Sequence, residues 1–320
     1  MKIYTVVGAR PNFLKIDPEL PQTIIHTGQH FHDNMSAVFF RELGLPKPKY
    51  NLKCKGYQVG KMIDKLREIL KKDKPDLVVV FGDTNSAVAG ALAARYEHIK
   101  VAHIEAGMRS GTDMPEETNR IIIDNIATVN MCANSEAVYN LNKNGIVKDY
   151  YEVGDPMIDT LYRFLPITAT KNKGKYILLT IHREVNATKD FLAKLFKILK
   201  DTDEQYIFPA HPRIKKFVKA PKNVRIIKPV GYKEMLSLEA NAKKIITDSG
   251  GVQREGAWLG IPVIVVREET EWNDLLKRGS LVLGNLDNLK HLIENFRSPV
   301  FGAPTKGANK KIREILVKYV

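Results

Sequence analysis

The stretch DLVVVFGDTNSAVAGALAARYEHIKVAHIEAG, residues 76–107, decides the fold of the chain. Two apolar runs flank an alanine-rich helical stretch, and such continuous runs are typical of strands buried on both faces of a parallel sheet. Each predicted strand ends in one acid beside glycine, Asp83 and Glu105. A right-handed crossover would put both carboxylates at the same carboxyl edge of the sheet, where α/β proteins bind their ligands.

Strand-like and helix-like segments alternate in the same way along the rest of the chain. Predicted strands of the first series also include KIYTVVG, TIIHTG and TVNMCAN, and those of the second are KYILLTIH, QYIFPAH, VRIIKP, KKIITDSG and IPVIVV. A segment rich in Gly, Pro and Lys, YYEVGDPMIDTLYRFLPITATKNKGK, separates the two series. The pattern predicts an α/β protein of two Rossmann-like doubly wound domains with a cleft between them.

The separating segment also sets the predicted domain boundary. We expect a first domain at residues 1–156 and a second, nucleotide-binding domain at residues 157–303. A last helix within residues 304–320 is expected to pack back on the first domain.

The composition indicates a cytoplasmic protein. Among 320 residues there are two cysteines, too few for a disulfide framework or a Cys/His zinc pattern, and this fits a reducing compartment. The N-terminal apolar run is too short for a signal peptide, and no run approaches the ~20 apolar residues of a membrane span. The net charge of +14 comes from basic residues that are spread along the chain without a nucleic-acid-binding signature, so we expect neither a nucleic acid nor a membrane partner.

The most informative unit of the second series is the strand IITD, the loop SGG and the helix VQREGAWL. Ser249, Gly250 and Gly251 lie where a helix begins after a strand, and the N–H groups of a helix N-terminus bind anions. Glu255, about one turn further, would reach a ribose diol. An ordinary capped turn is the alternative, but phosphate binding is favoured because packing gives no evident reason for two glycines.

Two cations follow the first predicted strand in GARPNFLK. Arg10 comes directly after the strand and Lys15 five residues later, and either could face a diphosphate from the opposite wall of the cleft. The chain has neither GxGxxG nor GxxxxGK[ST], so we expect no nicotinamide, no flavin and no P-loop.

Some of the candidate acids also have a purely structural explanation. Asp83 in DTNS would be a good helix N-cap, and Asp113 with Glu116 would approximate a capping box. Glu105 has no such easy explanation. His182 ends the strand YILLTIH and is predicted to point into the cleft.

Two patterns could suggest a metal ion, and both are disfavoured. His26, His30 and His32 are loosely spaced and lack a matching carboxylate pair. The DTD at residues 201–203 lies in a charged loop after a helix, as surface residues do. We therefore expect no metal.

Taken together, the motifs resemble the non-hydrolysing UDP-N-acetylglucosamine 2-epimerases over nearly the whole chain. GARPNFLK, TGQHFHDNM, VVVFGDTNSAVAGALAA, HIEAGMRS, PEETNR, TIHREVN, TDSGGVQREGAWLGIPVIVVREETE and GAPTKGA occur in the order of that family. The resemblance implies two Rossmann-like domains of the GT-B type, a homodimer, and no metal or redox cofactor. It also implies reversible C2 epimerisation of UDP-N-acetylglucosamine to UDP-N-acetylmannosamine by elimination of UDP to a glycal and re-addition, usually for polysaccharide biosynthesis.

The resemblance also assigns roles to individual positions. The residues that match catalytic positions of the family are Asp83, Glu105, Glu116 and His182. The residues that match positions contacting the UDP-sugar are Arg10, Lys15, His30, Arg120, Ser249, Gly250, Gly251 and Glu255.

The chain departs from the family in places, and other functions stay open. DPELPQ is shorter than the usual segment, no Trp lies between EAGMRS and PEE, and Arg254 stands where an acid is common. Altered polar residues around Gln29 predict weak or absent activation by a second substrate molecule. The alternatives are a hydrolysing 2-epimerase, whose motif reads more like HGGE than HIEAG, a GT-B glycosyltransferase and a catalytically idle UDP-sugar-binding protein.

Overall fold

Parallel strand pairing organises the chain into two sheets. The computed structural model describes residues 1–29, 33–111, 113–168, 174–183, 185–210, 219–299 and 304–320. Every strand pair in these ranges is parallel. Since each parallel connection needs a crossover, the described helices lie between the strands, as the α/β pattern predicts.

The chain divides into two compact units, Met1–Thr160 with Lys306–Val320, and Leu161–Thr305. The first unit contains the strands β1 Ile3–Val7, β2 Gln22–His26, β3 Tyr50–Asn51, β4 Leu77–Phe81, β5 Lys100–Ala106, β6 Val129–Cys132 and β7 Tyr150–Glu152. Its described helices are α1 Arg10–Phe13, α2 Asp33–Glu42, α3 Val59–Asp73, α4 Asn85–Tyr96, α5 Pro115–Ile126 and α6 Ser135–Lys143. Helix α7, Pro156–Thr168, contains the division between the units.

The second unit contains the strands β8 Ile177–Thr180, β9 Tyr206–Pro209, β10 Val224–Ile227, β11 Lys244–Thr247, β12 Val263–Val266 and β13 Leu281–Gly284. Its helices in the described ranges are α8 Lys189–Lys200, α9 Tyr232–Ala240, α10 Gly250–Trp258, α11 Asn273–Lys277 and α12 Leu289–Asn295. Helix α13, Ala308–Leu316, and a 3₁₀ turn at Val317–Tyr319 end the chain.

Both sheets have the doubly wound strand order. The first reads β3-β2-β1-β4-β5-β6-β7 and the second β10-β9-β8-β11-β12-β13. The order reverses between β1 and β4 in one sheet and between β8 and β11 in the other, and ligands bind at the carboxyl ends of strands beside such a switch point. The predicted class of two Rossmann-like doubly wound units is confirmed.

Small residues explain how α4 covers the first sheet. This helix is alanine-rich and buried along most of its length. At Gly90 a Cβ atom would lie 3.0 Å from Val6 and 3.0 Å from Val80, so only a glycine lets the helix axis come this close to β1 and β4. Close packing here fixes the start of α4 beside the ends of both strands.

The last helix belongs to the first unit. The backbone N–H groups of Gly307 and Asn309 donate to the Asp159 carboxylate at 2.6 and 2.7 Å. Arg313 forms ion pairs with Asp17 and Glu19. In the part of the chain that the structure describes, no helix is both long enough and apolar enough to span a bilayer.

Candidate active site

The turn after β4 sets Asp83 against a cation. Gly82 adopts a φ of +60°, a left-handed conformation that favours glycine. The helix that follows is capped by Thr84, whose hydroxyl accepts from the N–H of Ala87 at 3.2 Å. The predicted N-cap role of Asp83 is therefore wrong by one residue, and its carboxylate instead forms an ion pair with the Arg120 guanidinium.

Glu105 ends β5 in an unusual backbone conformation. Its φ is +69°, and the pairing of β5 with β6 shifts register between Ile104 and Ala106, as at a β-bulge. A residue other than glycine pays about 1 kcal/mol or more for left-handed backbone, and such strain concentrates at functional sites. The bulge turns the Glu105 carboxylate toward Lys15, with which it forms an ion pair.

The two acids lie at one edge of the sheet. Phe81 pairs with Ile104, so β4 and β5 end side by side. A Cβ atom on Gly82 would lie 2.9 Å from Glu105 Oε2 and 3.5 Å from Lys15 Nζ, which shows how closely the turn of β4 approaches the Glu105 side chain. The predicted placement of both acids at the carboxyl edge is confirmed, and their catalytic roles stay a prediction.

Arg120 joins two acids rather than one. Besides its contact with Asp83, its Nη1 donates to Glu117 Oε2 at 2.9 Å. The same Glu117 oxygen accepts from the N–H and the hydroxyl of Ser110, both at 2.9 Å. Because the bonds through Glu117 restrict the position of the guanidinium, Arg120 presents a fixed positive charge to Asp83.

The start of α5 differs from the prediction by one position. Met114 is the N-cap and Pro115 the first helical residue, so Asp113 and Glu116 form no capping box. Glu117 forms the polar contacts, whereas the Glu116 side chain has no hydrogen bond or ion pair with any residue that the structure describes. Glu116 is half-buried in the first turn of a helix, where the dipole stabilises negative charge.

Two other predicted ligands of the first unit are only partly described. Arg10 begins α1, but its side chain lies outside the described part of the chain, as does all of His30. Gln29 is described: its Oε1 accepts from the N–H and hydroxyl of Ser86 at 3.0 and 2.6 Å. Gln29 therefore supports the start of α4.

In the second unit, the SGG turn begins a helix as predicted. Ser249 is the N-cap of α10, and its N–H donates to Thr247 Oγ1 at 2.9 Å. The first N–H groups of a helix have no partner within the helix, so this turn can accept an anion. A Cβ atom on Gly250 would lie 3.0 Å from Oε1 of Glu271, whose charge is paired with Arg267 at 3.0 Å.

Glu255 lies deeper than expected for a ribose ligand. Its side chain is 3% exposed and its Oε1 accepts from the Tyr232 hydroxyl at 2.7 Å. Glu239 beside it is fully buried, and burial first, then the charge of Glu255, raises its pKa well above the usual value. A contact between Glu255 and a ribose stays a prediction.

Arg254, the departure from the usual acid, is accommodated within the same helix. Its Nε donates to the carbonyl of Gly250 at 3.3 Å, and its guanidinium lies 4.0 Å from the centre of the Trp272 ring. The cation–π contact helps to stabilise this buried charge.

No group of three or more His, Cys, Asp or Glu side chains in the described ranges is arranged to hold a metal ion. The acids of the first unit are instead paired with Lys15 and Arg120.

Comparison with known proteins agrees with this arrangement. The family model described as UDP-N-acetylglucosamine 2-epimerase matches residues 12–302. The chain belongs to the UDP-N-acetylglucosamine 2-epimerase family. A Methanococcus maripaludis protein named UDP-N-acetylglucosamine 2-epimerase homolog is 42% identical over 328 residues, covering 92% of this chain and 91% of that protein.

Two further similar proteins have names that state what they bind or act on. The crystal structure of Methanocaldococcus jannaschii UDP-GlcNAc 2-epimerase in complex with UDP-GlcNAc and UDP matches with a TM-score of 0.89 and 36% identity, covering 99% of this chain and 100% of that chain. A Pseudomonas aeruginosa protein named UDP-2,3-diacetamido-2,3-dideoxy-D-glucuronate 2-epimerase is 38% identical over 314 residues, 88% of each chain.

This family member also uses a residue that the sequence interpretation missed. Asp248 directly follows β11 and is 1% exposed, and its carboxylate accepts from the N–H groups of His182 and Arg183 at 2.9 and 3.1 Å. Asn186 donates to it as well, at 3.1 Å. Asp248 thereby fixes the backbone of His182, whose side chain is exposed. The signal was present in TDSGG, which repeats the strand-end acid beside glycine seen in VVVFGD.

The predicted residues thus form two sets. The first unit brings together Asp83, Glu105, Lys15 and Arg120, with Glu116 in the first turn of α5. The second unit brings His182 next to the SGG turn through Asp248, and Glu255 lies within α10.

Proposed function

We propose that this chain is a non-hydrolysing UDP-N-acetylglucosamine 2-epimerase that interconverts UDP-N-acetylglucosamine and UDP-N-acetylmannosamine. The observation that carries the proposal is the edge of the first sheet, where two carboxylates, Asp83 and Glu105, each face a buried cation. The printed names of the relatives supply the substrate class.

The reaction has to remove a proton from C2 of the sugar, which has no neighbouring carbonyl to acidify it. Departure of UDP from C1 builds oxocarbenium character, so the C2 proton becomes more acidic and nearby carboxylates stabilise the charge. A carboxylate takes the C2 proton, the C1–O bond breaks with its electrons going to UDP, and a glycal forms. Re-addition of UDP to C1 with protonation of C2 on the other face inverts the centre.

Removal and return of the proton on opposite faces require two acid–base groups. Asp83 and Glu105 are candidates for these roles, with Glu116 as a third acid on the adjoining helix. His182 and Arg10 act on the departing diphosphate, which the SGG turn receives through its N–H groups.

Lys15 explains how Glu105 becomes a base only in the presence of substrate. In the described structure the Lys15 ammonium neutralises the Glu105 carboxylate, and a paired carboxylate is a weak base. An incoming diphosphate offers Lys15 a competing anion. Transfer of the ammonium to a phosphate oxygen would leave Glu105 ionised and without the Lys15 charge beside the sugar.

The test is incubation with UDP-N-acetylglucosamine in deuterated water, followed by NMR of the products. The proposal predicts UDP-N-acetylmannosamine with one deuterium at C2 and the nucleotide still attached. Free N-acetylmannosamine and UDP would instead identify a hydrolysing enzyme. If UDP-N-acetylglucosamine does not react but a UDP-2,3-diacetamido-2,3-dideoxyglucuronate is turned over in a parallel reaction, the substrate is instead of the class named for the Pseudomonas relative.

A further inference from the structure

A buried histidine lies directly beneath the two acids of the first sheet. His103 is on β5, two residues before Glu105, and its side chain is fully buried. Its Nε2 is 2.9 Å from the carbonyl oxygen of Gly82, the residue before Asp83. Its Nδ1 is 2.8 Å from Oδ1 of Asp124 on α5.

The Asp124 carboxylate gathers three donors in the protein interior. Besides His103, it accepts from the N–H of Gly107 at 3.2 and 3.3 Å and from Arg109 Nη1 at 2.7 Å. Burial acts to raise the pKa of Asp124, but the hydrogen bond and charge of His103, together with Arg109, hold it below its usual range. Asp124 is therefore an ionised acceptor.

These contacts define the protonation of the ring. A carbonyl oxygen can only accept, so Nε2 of His103 must carry a proton toward Gly82. An ionised carboxylate also only accepts, so Nδ1 must carry a proton toward Asp124. The ring holds two protons and is an imidazolium in the fold.

The imidazolium begins a series of alternating charges that ends at Asp83. Arg109 contacts Glu117 at 3.8 Å as well as Asp124, and Arg120 connects Glu117 to Asp83. The members in order are His103, Asp124, Arg109, Glu117, Arg120 and Asp83. Three positive and three negative groups alternate along this series, so each charge has at least one neighbour of opposite sign.

We propose that His103 is a positioning residue, whose doubly protonated ring connects the main chain beside Asp83, through Asp124, to the main chain beside Glu105. Gly82 and Gly107 both have left-handed backbone, with φ of +60° and +75°, so neither turn is held by ordinary strand geometry. One hydrogen-bonded chain across His103 and Asp124 sets the distance between the two turns, and hence between the two carboxylates.

The first test is kinetic and rests on the proposed epimerase activity. His103→Phe keeps the ring shape without the two N–H donors, and Asp124→Asn keeps the volume without the charge. Both variants should lose ~10²-fold in kcat, since a small misplacement of reacting groups costs that much, with unchanged calorimetric affinity for UDP. Ile123→Val, a matched control in the core next to Asp124, should lower the melting temperature and keep kcat.

A kcat equal to that of the Ile123→Val control would overturn the proposal. Parallel loss of UDP affinity in both variants would do the same, because it would indicate a general structural role. If His103→Phe fails to fold, Asp124→Asn gives the kinetic comparison.

The second test does not depend on turnover. The chain has eight histidines, and long-range ¹H–¹⁵N NMR of histidine-labelled protein reports the protonation of each ring. The signal absent from His103→Phe identifies His103, and both of its nitrogens should have imidazolium shifts in the folded protein, because each faces an acceptor. A ring with one proton would contradict the inference even in an active enzyme. An imidazolium in a chain without 2-epimerase activity would keep the inference about His103 and refute the proposed function.

Discussion

At the carboxyl edge of the first sheet, carboxylates face cations: Glu105 meets Lys15, and Asp83 meets Arg120. At the equivalent edge of the second sheet, the strand-end acid Asp248 is buried and its carboxylate accepts main-chain N–H groups instead. The strand order around both switch points is the same. The strand order therefore sets where each acid lies. We expect the partner of each acid to decide whether that acid takes part in the reaction or only holds a loop.

The comparison separates chemistry from nucleotide binding. A carboxylate paired with a lysine ammonium can exchange its partner, whereas one held by backbone donors cannot leave them without unfolding the loop. We therefore expect substitutions at the first edge to change turnover and substitutions at the second edge to change affinity.

The largest effect is expected for Glu105→Gln. The amide keeps the shape of the side chain but cannot take a proton, so kcat should fall by ~10³-fold or more while the variant still binds UDP. The buried Lys15 loses its counter-ion, and the free energy of unfolding should fall as well. Adding Lys15→Met should restore stability but not turnover. Recovery of turnover in the double variant, measured by coupled assay, would remove Glu105 from the chemistry.

A smaller effect, on UDP affinity rather than on turnover, is expected for Gly250→Val at the second edge. The added side chain would crowd the first turn of α10 and meet the Glu271 carboxylate, whose oxygen lies 3.0 Å from the Cβ position. UDP affinity measured by calorimetry should fall by ~10- to 100-fold, since in the proposed site the N–H groups there would supply charge-assisted hydrogen bonds to phosphate. Unchanged affinity in a folded variant would show that the diphosphate binds elsewhere.

The smallest effect concerns pH, and it distinguishes the stability of the two units. Hydrogen bonds from Tyr4 and then Tyr50 lower the pKa of Asp73 to about 2, so the first unit should lose stability as pH falls from ~4 toward 2. Burial lowers the pKa of Lys244 to about 8. Between pH 8 and ~10.4 the Lys244 side chain is deprotonated in the folded second unit and protonated in the unfolded one. The free energy of unfolding of this unit should therefore rise with pH over that range.

Both tryptophans, Trp258 and Trp272, lie in the second unit, so tryptophan emission follows that unit alone. Circular dichroism follows both units. In denaturant titrations, tryptophan emission should show the gain in stability at alkaline pH. Only circular dichroism should show the loss of stability at acid pH. Lys244→Met and Asp73→Asn should each abolish one trend, and a trend that survives its variant would refute the assigned group.

Much of the fold could be predicted from the sequence because its signals are local. The continuous apolar runs and the right-handed crossover rule together placed Asp83 and Glu105 at one edge. The strand–SGG–helix pattern placed Ser249 at the start of α10. Each of these inferences needed only neighbouring residues and a rule of chain geometry.

The partners of the acids could not be predicted, because they are distant in the chain. Lys15 and Glu105 are ninety positions apart, and nothing local to either indicates the other. Helix starts were predicted one position too early: Thr84 caps α4 rather than Asp83, and Met114 rather than Asp113 is the N-cap of α5. His103 looked like an ordinary strand residue, since only the fold shows both ring nitrogens against acceptors.

The most direct measurement of the central claim is turnover and UDP affinity of Asp83→Asn. Thr84 caps α4 and remains in place, so the variant should fold, and a Thr84→Ala control should lose about 1 kcal/mol of stability while keeping its turnover. If Asp83 works on the sugar, Asp83→Asn should bind UDP normally and lose ~10²-fold or more in kcat. A folded Asp83→Asn variant with near-normal turnover would contradict the account, because the edge of the first sheet would then not be where the chemistry occurs.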